Sequence, residues 1–337
     1  AFAIPCTSVH ACICGYYYGK EKVSVPAAAQ LFEQMIRIFT VFLLASVCIE
    51  KRIPVTVSLA VFGLVAGEAG SALFVLIFFL LFHEFHENTG RSYSVGQSGN
   101  LFSPMAALLA LAAPLMANRL VLNLLQSTET IMIPERLTVY GLTRSQAVRT
   151  YGTLTGMAMP FVLFPSALVN SLAVVLLPVT ARHQSAGNDS GIADGISMAF
   201  RYSLYLGIFC VGVFTVFGEA LGLQIFKSQD AGSFIQILAW LCPFLYLATS
   251  SGSILNGLGK TKLTFFHHLI SLLVRIAFVW FGIPEVGIRA CLWGMLASEI
   301  LLALLHILAL RRIVPCDWNA WILIGKPVFC LLCALWL

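Results

Sequence analysis

The chain has 337 residues, of which 59% are hydrophobic and 10% charged, whereas a soluble domain is about a quarter charged. That balance excludes an ordinary water-soluble core and makes the bilayer the solvent for most of the chain. The formal charge of +5 is spread over short polar segments, which excludes nucleic acid as a partner and favours membrane lipids with anionic head groups.

Apolar runs of about 20 residues, each long enough to cross about 30 Å of hydrocarbon as a helix, recur along the whole length. They predict about ten spans, at 3–18, 28–49, 56–83, 104–126, 147–179, 195–217, 232–256, 262–282, 287–310 and 320–337. The chain opens on Ala1 and stops at Leu337 inside an apolar run, and is read as a fragment. The ten cysteines stand singly in apolar surroundings. Neither Cys12 with Cys14 nor Cys330 with Cys333 has a second ligand pair at zinc spacing, so they read as unpaired thiols.

In the second span Gln30, Glu33, Gln34 and Arg37 are spaced three, four and seven apart and form one polar stripe. It predicts either a lobe interior or an intrahelical Glu33–Arg37 pair near the interface. Glu68 in the third span lies beside Gly67, and Glu299 in the ninth beside Ser298, where close helix approach is possible. Each is either an ion-coupling carboxylate or a hydrogen-bonded structural one, and no second acidic residue at coordination spacing stands beside either.

The longest polar stretch, Glu84 to Ser103, reads as an interlobe linker on the cytoplasmic side. Lys20, Lys22, Arg91, Arg182, Arg201, Lys260, Lys262, Arg311, Arg312 and Lys326 assign that side by the positive-inside rule. Its cluster His83, Glu84, His86 and Glu87 lacks metal-protease spacing and reads as hydrated linker. Arg119, Asn123, Gln126 and Glu129 make a second stripe in the fourth span, with Arg119 deep enough to favour cavity lining. Arg275 shares a face with Ser271, His268 and His267; it is expected to face Arg37 across the lobes or to snorkel toward head groups.

An internal repeat organises these spans. Met35, Ile36, Arg37, Ile38 and Val41 recur as Leu273, Val274, Arg275, Ile276 and Val279; the next span carries Gly63 and Glu68 in one copy, Gly294 and Glu299 in the other. An even displacement makes the repeat parallel about the membrane normal. The expected domains are 1–84, the last half of a first lobe; 85–103, the linker; 104–312, a six-helix second lobe; and 313–337, an appended span cut short.

The stretch Glu129-Thr130-Ile131-Met132-Ile133-Pro134-Glu135-Arg136-Leu137, then Tyr151 to Pro160 and Phe164 to Leu168, resembles the stage V sporulation protein B family, as does Gln30 to Arg37. That family lies in the multidrug/oligosaccharidyl-lipid/polysaccharide exporter superfamily with the MurJ flippases and MATE exporters. The resemblance implies an all-α, polytopic, MATE-like bundle of two six-helix lobes in the bacterial plasma membrane, working by alternating access. Its expected cargo is a lipid-linked oligosaccharide, a lipid II-like or surface polysaccharide precursor.

Such cargo needs cations in a protected cavity and no covalent chemistry, for which Arg37, Arg119 and Arg275 are the foremost candidates, with Gln30, Glu33, Asn123 and Glu129 beside them. A drug or cation antiporter would instead depend on Glu33, Glu68 and Glu129. A third reading is a non-transporting partner of a cell-wall synthase. No Walker-type loop or catalytic triad is legible, so neither an enzyme nor a metal or other cofactor is expected.

Overall fold

Inside hydrocarbon every backbone N–H and C=O must find its partner within the segment, which leaves helix as the structure open to an apolar run. The computed structural model describes residues 3–19, 24–52, 57–82, 102–314 and 321–336, and every regular element among them is helical. Six described helices are long and apolar enough to cross a membrane, seven if one bent pair counts as a single span. The fold is that of an all-α polytopic membrane protein. The chain divides into two compact units, 1–99 and 100–337; most of the expected linker, including His83, Glu84, His86 and Glu87, lies outside the described residues.

The first unit holds α1 (Ala3–Gly19), α2 (Ser24–Glu50) and α3 (Val57–Phe82). Gly63, Gly67 and Gly70 recur at i, i+4 and i+7 on α3, so they line one face, and there α2 closes in through Val41, Arg37 and Ile36. Side chains at these glycines would stand where α2 now lies. Phe32 and Phe74 stack at 4.8 Å beside this seam, and Ala29, Val75 and Cys14 are buried together.

The second unit begins with α4 (Phe102–Val139). A capping box then starts α5 (Arg144–Thr153): the Thr143 hydroxyl accepts from the Gln146 N–H at 3.3 Å and Gln146 Oε1 accepts from the Thr143 N–H at 3.0 Å. Where the sequence predicts one span over 147–179, the helix widens into a π turn at Leu154–Ala158, resumes as α6 (Met159–Leu163), and breaks at Phe164 and Pro165 before α7 (Ser166–Ser185). Prolines cause this, because neither Pro160 nor Pro165 has an N–H to donate to the preceding turn. In the π turn the Met159 N–H reaches five residues back, to the Leu154 carbonyl.

Asn188 caps α8 (Asp189–Phe226) through the Gly191 N–H at 2.9 Å, and Ser228 caps α9 (Gln229–Ala239) through the Ala231 N–H at 3.3 Å. Gly222 and Gly232 let the backbones of these two helices touch. The chain turns 52° between α9 and α10 (Cys242–Gly257), at Trp240 and Leu241, just ahead of Pro243. α11 (Thr261–Ala277), a π turn (Phe278–Gly282), α12 (Ile283–Val286) and α13 (Ile288–Ile313) follow; after a further π turn (Trp321–Gly325) comes α14 (Lys326–Trp336).

Two apolar clusters form the core of this unit. On α13 the first ends at Met295 and the second begins at Leu302, and Ser298 and Glu299 fall in the gap. On α10 the clusters meet at Tyr246 and Leu247, with buried Ser250 and Ser251 one turn further on. A polar layer therefore interrupts the core, and a layer that is costly in a membrane calls for a reason.

Candidate functional site

The polar layer is organised by one ion pair. Glu129 is 5% exposed on α4, in a face whose other members Ile133 and Leu137 are core residues. Arg275 comes from α11, and both its Nε, at 2.9 Å, and its Nη2, at 2.8 Å, donate to the same carboxylate oxygen, Oε2. Two residues of the sequence-level candidate set, from stripes 146 positions apart, are thus brought together. A pair of this kind is the least costly way to hold a guanidinium away from water.

Arg275 opens onto a cavity of about 430 Å³ shared with Gln126, Asn256, His268, Ser271 and Glu299. The lining mixes one cation, a carboxylate, an imidazole, amides and hydroxyls, which is the chemistry of a site for a polar or anionic head group. Glu299 directs a buried Oε2 with no hydrogen-bond partner into this region. Behind the cavity, buried His267 and His306 stand with ring centroids 5.1 Å apart, and His268 lies 5.6 Å from His306. At the far end of α4 the Arg136 guanidinium sits 3.2 Å over the Trp280 ring.

The other candidates of this unit are placed differently. Arg119 and Asn123 are exposed on α4 and do not line the cavity, whereas Gln126 does. Sequence reading missed Asn256 and His306; a lone histidine seven residues, two turns, past Glu299 on an apolar helix was the available signal for the latter.

In the first unit Glu33 and Arg37 form the intrahelical ion pair that their i, i+4 spacing predicts, and Arg37 Nη1 donates to Gln34 at 3.2 Å. Gln30 is exposed. Glu68 accepts from the Thr7 hydroxyl at 3.2 Å. The expectation that no second acidic residue stands beside Glu68 is corrected by neighbours from α1 and α2: ligand atoms of His10, Glu33 and Glu68 lie within 4.8 Å of one another. Spacing along one helix cannot show a partner supplied by another.

The repeat has a matching geometry in each unit taken by itself. A methyl placed on Gly63 would stand 3.5 Å from the Arg37 carbonyl, and one on Gly294 would stand 3.7 Å from the Arg275 carbonyl. In both copies a glycine lets the next span close on the backbone of the arginine, with a glutamate five residues further along.

Comparison with known proteins agrees with this architecture. No protein-family profile matches the chain. It is 24% identical over 314 residues to stage V sporulation protein B of Bacillus subtilis, covering 93% of this chain and 60% of that protein. It is 22% identical over 294 residues to sporulation protein YkvU of the same organism, covering 87% and 65%. The chain therefore spans about two thirds or less of the length of the curated relatives it matches. A crystal structure of MATE in the bent conformation superposes with a TM-score of 0.64 and 13% identity, over 90% of this chain and 64% of that one. The chain is thus a homologue of stage V sporulation protein B, with the helical fold of a MATE transporter and the make-up of a multi-pass bacterial membrane protein.

Proposed function

We propose that the protein is a membrane flippase or exporter that moves a lipid-linked oligosaccharide by alternating access, with the cavity beside Arg275 receiving the phosphate-bearing head group. In this reading residues 1–84 complete a first lobe, 85–103 join the lobes, 104–312 form the second lobe, and 313–337 add a helix. The observation that carries it is the guanidinium of Arg275, oriented by Glu129 at the edge of a polar cavity within an otherwise apolar bundle. Anchoring alone gives a membrane bundle no reason to bury such a layer. The relatives' names supply the sporulation setting, the guanidinium supports a phosphate-bearing head group, and the oligosaccharide is carried over from the resemblance of the sequence motifs.

The test is appearance of lipid-linked cell-wall precursor at the outer leaflet of cells depleted of their own flippase. The full-length protein is expected to restore it, and Arg275→Ala, expressed equally, is expected to lower it at least tenfold; Arg119→Ala has a smaller effect. If the wild type restores nothing, the reading fails. A drug or cation antiporter is the second reading, favoured by the His10, Glu33 and Glu68 cluster. It requires that Glu33→Gln and Glu68→Gln abolish cation-driven export while Arg275→Ala spares it.

A further inference from the structure

The second unit holds more titratable groups than the Arg275 ion pair uses. Glu129 already neutralises Arg275, so the pair presents no net charge to an incoming ligand. The remaining ionisable group lining the cavity with acidic character is Glu299, whose buried Oε2 has no partner. A phosphate head group entering such a place adds negative charge where compensation is already spent, and an unmatched charge in a membrane interior is strongly disfavoured.

The groups able to supply a positive charge are the imidazoles. His268 lines the same cavity as Arg275, seven residues away on α11, so it lies on the same face about 10 Å along the axis. His306 on α13 is wholly buried; its Nδ1 lies 3.1 Å from the Ala248 carbonyl of α10, which fixes Nδ1 as the donor and leaves Nε2 with its lone pair. That Nε2 is buried without a partner, as is His267 Nδ1. The rings of His267 and His268 stand 5.1 and 5.6 Å from that of His306.

Glu299 is the other proton acceptor lining the cavity, and loss of proton uptake in histidine variants separates the imidazoles from it. α10 offers neutral Ser251 and Asn256 and the Ala248 carbonyl, α4 offers Gln126 and the committed Glu129, and α13 offers Glu299. α11 and α13 run from this cluster to ends bearing Lys260 and Lys262, and Arg311 and Arg312, so along α11 the cluster lies nearer that charged end than Arg275 does.

We propose that the His267, His268 and His306 cluster is a proton-binding site that loads together with an anionic phosphate head group, so that cargo and proton occupy this unit as a pair. The proton comes from water onto an imidazole nitrogen, and no covalent bond to the cargo forms or breaks. The inference rests on the proposed use of the Arg275 cavity and adds what balances its charge.

The probe is geranyl pyrophosphate, a soluble prenyl pyrophosphate, titrated calorimetrically into the full-length protein in lipid nanodiscs. Running the titration at pH 7 in two buffers of different ionisation enthalpy counts the protons exchanged per ligand. Wild type is expected to take up between one half and one proton per probe bound. His268→Gln, which changes a cavity-facing side chain, is expected to abolish the uptake and to flatten the dependence of affinity on pH; His306→Gln provides a second variant outside the cavity lining, with its fold checked by thermal unfolding. A variant-free measurement runs alongside: wild-type affinity should rise at least threefold from pH 8 to pH 6. Saturable binding without proton uptake, uptake unchanged in both variants, or a flat pH profile overturns the proton site and leaves the proposed function standing. Absence of probe binding to the wild type overturns both.

Discussion

Two nitrogens of Arg275 converge on a single oxygen of Glu129, and the two residues are not equivalent in what each leaves behind. Glu129→Leu strands a guanidinium that cannot shed its charge, at about 2.5–3.5 kcal/mol on the scale for membrane insertion. Arg275→Met leaves a carboxyl that can take up a proton, so its cost is smaller. The double variant removes both charges and should recover most of the stability without recovering transport. Thermal unfolding in detergent reads this order directly; equal losses for the two single variants would refute it.

The same residues show how far a sequence carries a site. Glu33–Arg37 was legible because helix spacing puts i and i+4 side by side. Glu129 and Arg275 were each legible as polar intrusions in an apolar span, but nothing in one span says which neighbour it will meet. Asn256 lies on one face with Thr249 and Ser253, at i, i+4 and i+7, but hydroxyls that can be satisfied within a helix make a faint stripe, and His306 has Glu299 two turns away to mark its face.

At the scale of elements, small residues decide how near two helices come. Gly222 and Gly232 bring α8 and α9 into backbone contact beside the turn that Ser228 caps. Gly222→Val would have to push α9 away, since its neighbour is backbone and cannot rotate aside; overpacking of this sort costs about 1–3 kcal/mol. A lowered unfolding midpoint is expected, with Gly195→Ala, where a methyl meets open space, as the control that changes little. Helix positions were read well from apolar periodicity, because in a bilayer the helix is forced. The break at Phe164 and Pro165 was not, since a proline in a membrane helix signals a bend without saying whether the helix continues through it.

Over the whole molecule, the charged ends of the helices carry the orientation. Arg182, Lys260, Lys262, Arg311 and Arg312 belong to the set read as cytoplasmic, and Lys227, Arg144 and Arg289 to the opposite set. In a variant whose own cysteines are replaced, a cysteine at Lys227 is expected to react with an impermeant maleimide in intact cells. A cysteine at Lys260 should react only after permeabilisation, and the reverse pattern would invert the topology. The repeat was legible here because it preserves an arginine, a glycine and a glutamate in a fixed order; its geometric meaning, a span closing on the arginine backbone, depends on packing between helices that no single span encodes.

The π turn at Phe278–Gly282 begins three residues after Arg275, and it is a matter of counting. A π turn holds one residue more than the α turn it replaces, so everything downstream is displaced by one place, a rotation of about 100° around the helix axis. Trp280, which meets Arg136, and the α12 segment leading to Gly287 owe their azimuth to that surplus residue. Deleting one residue between 278 and 282 would keep the composition and the helix but turn the outer third of the span away from α4. Length polymorphism of a single residue at this point would therefore re-aim one rim of the unit while the ion pair beneath it stays in place.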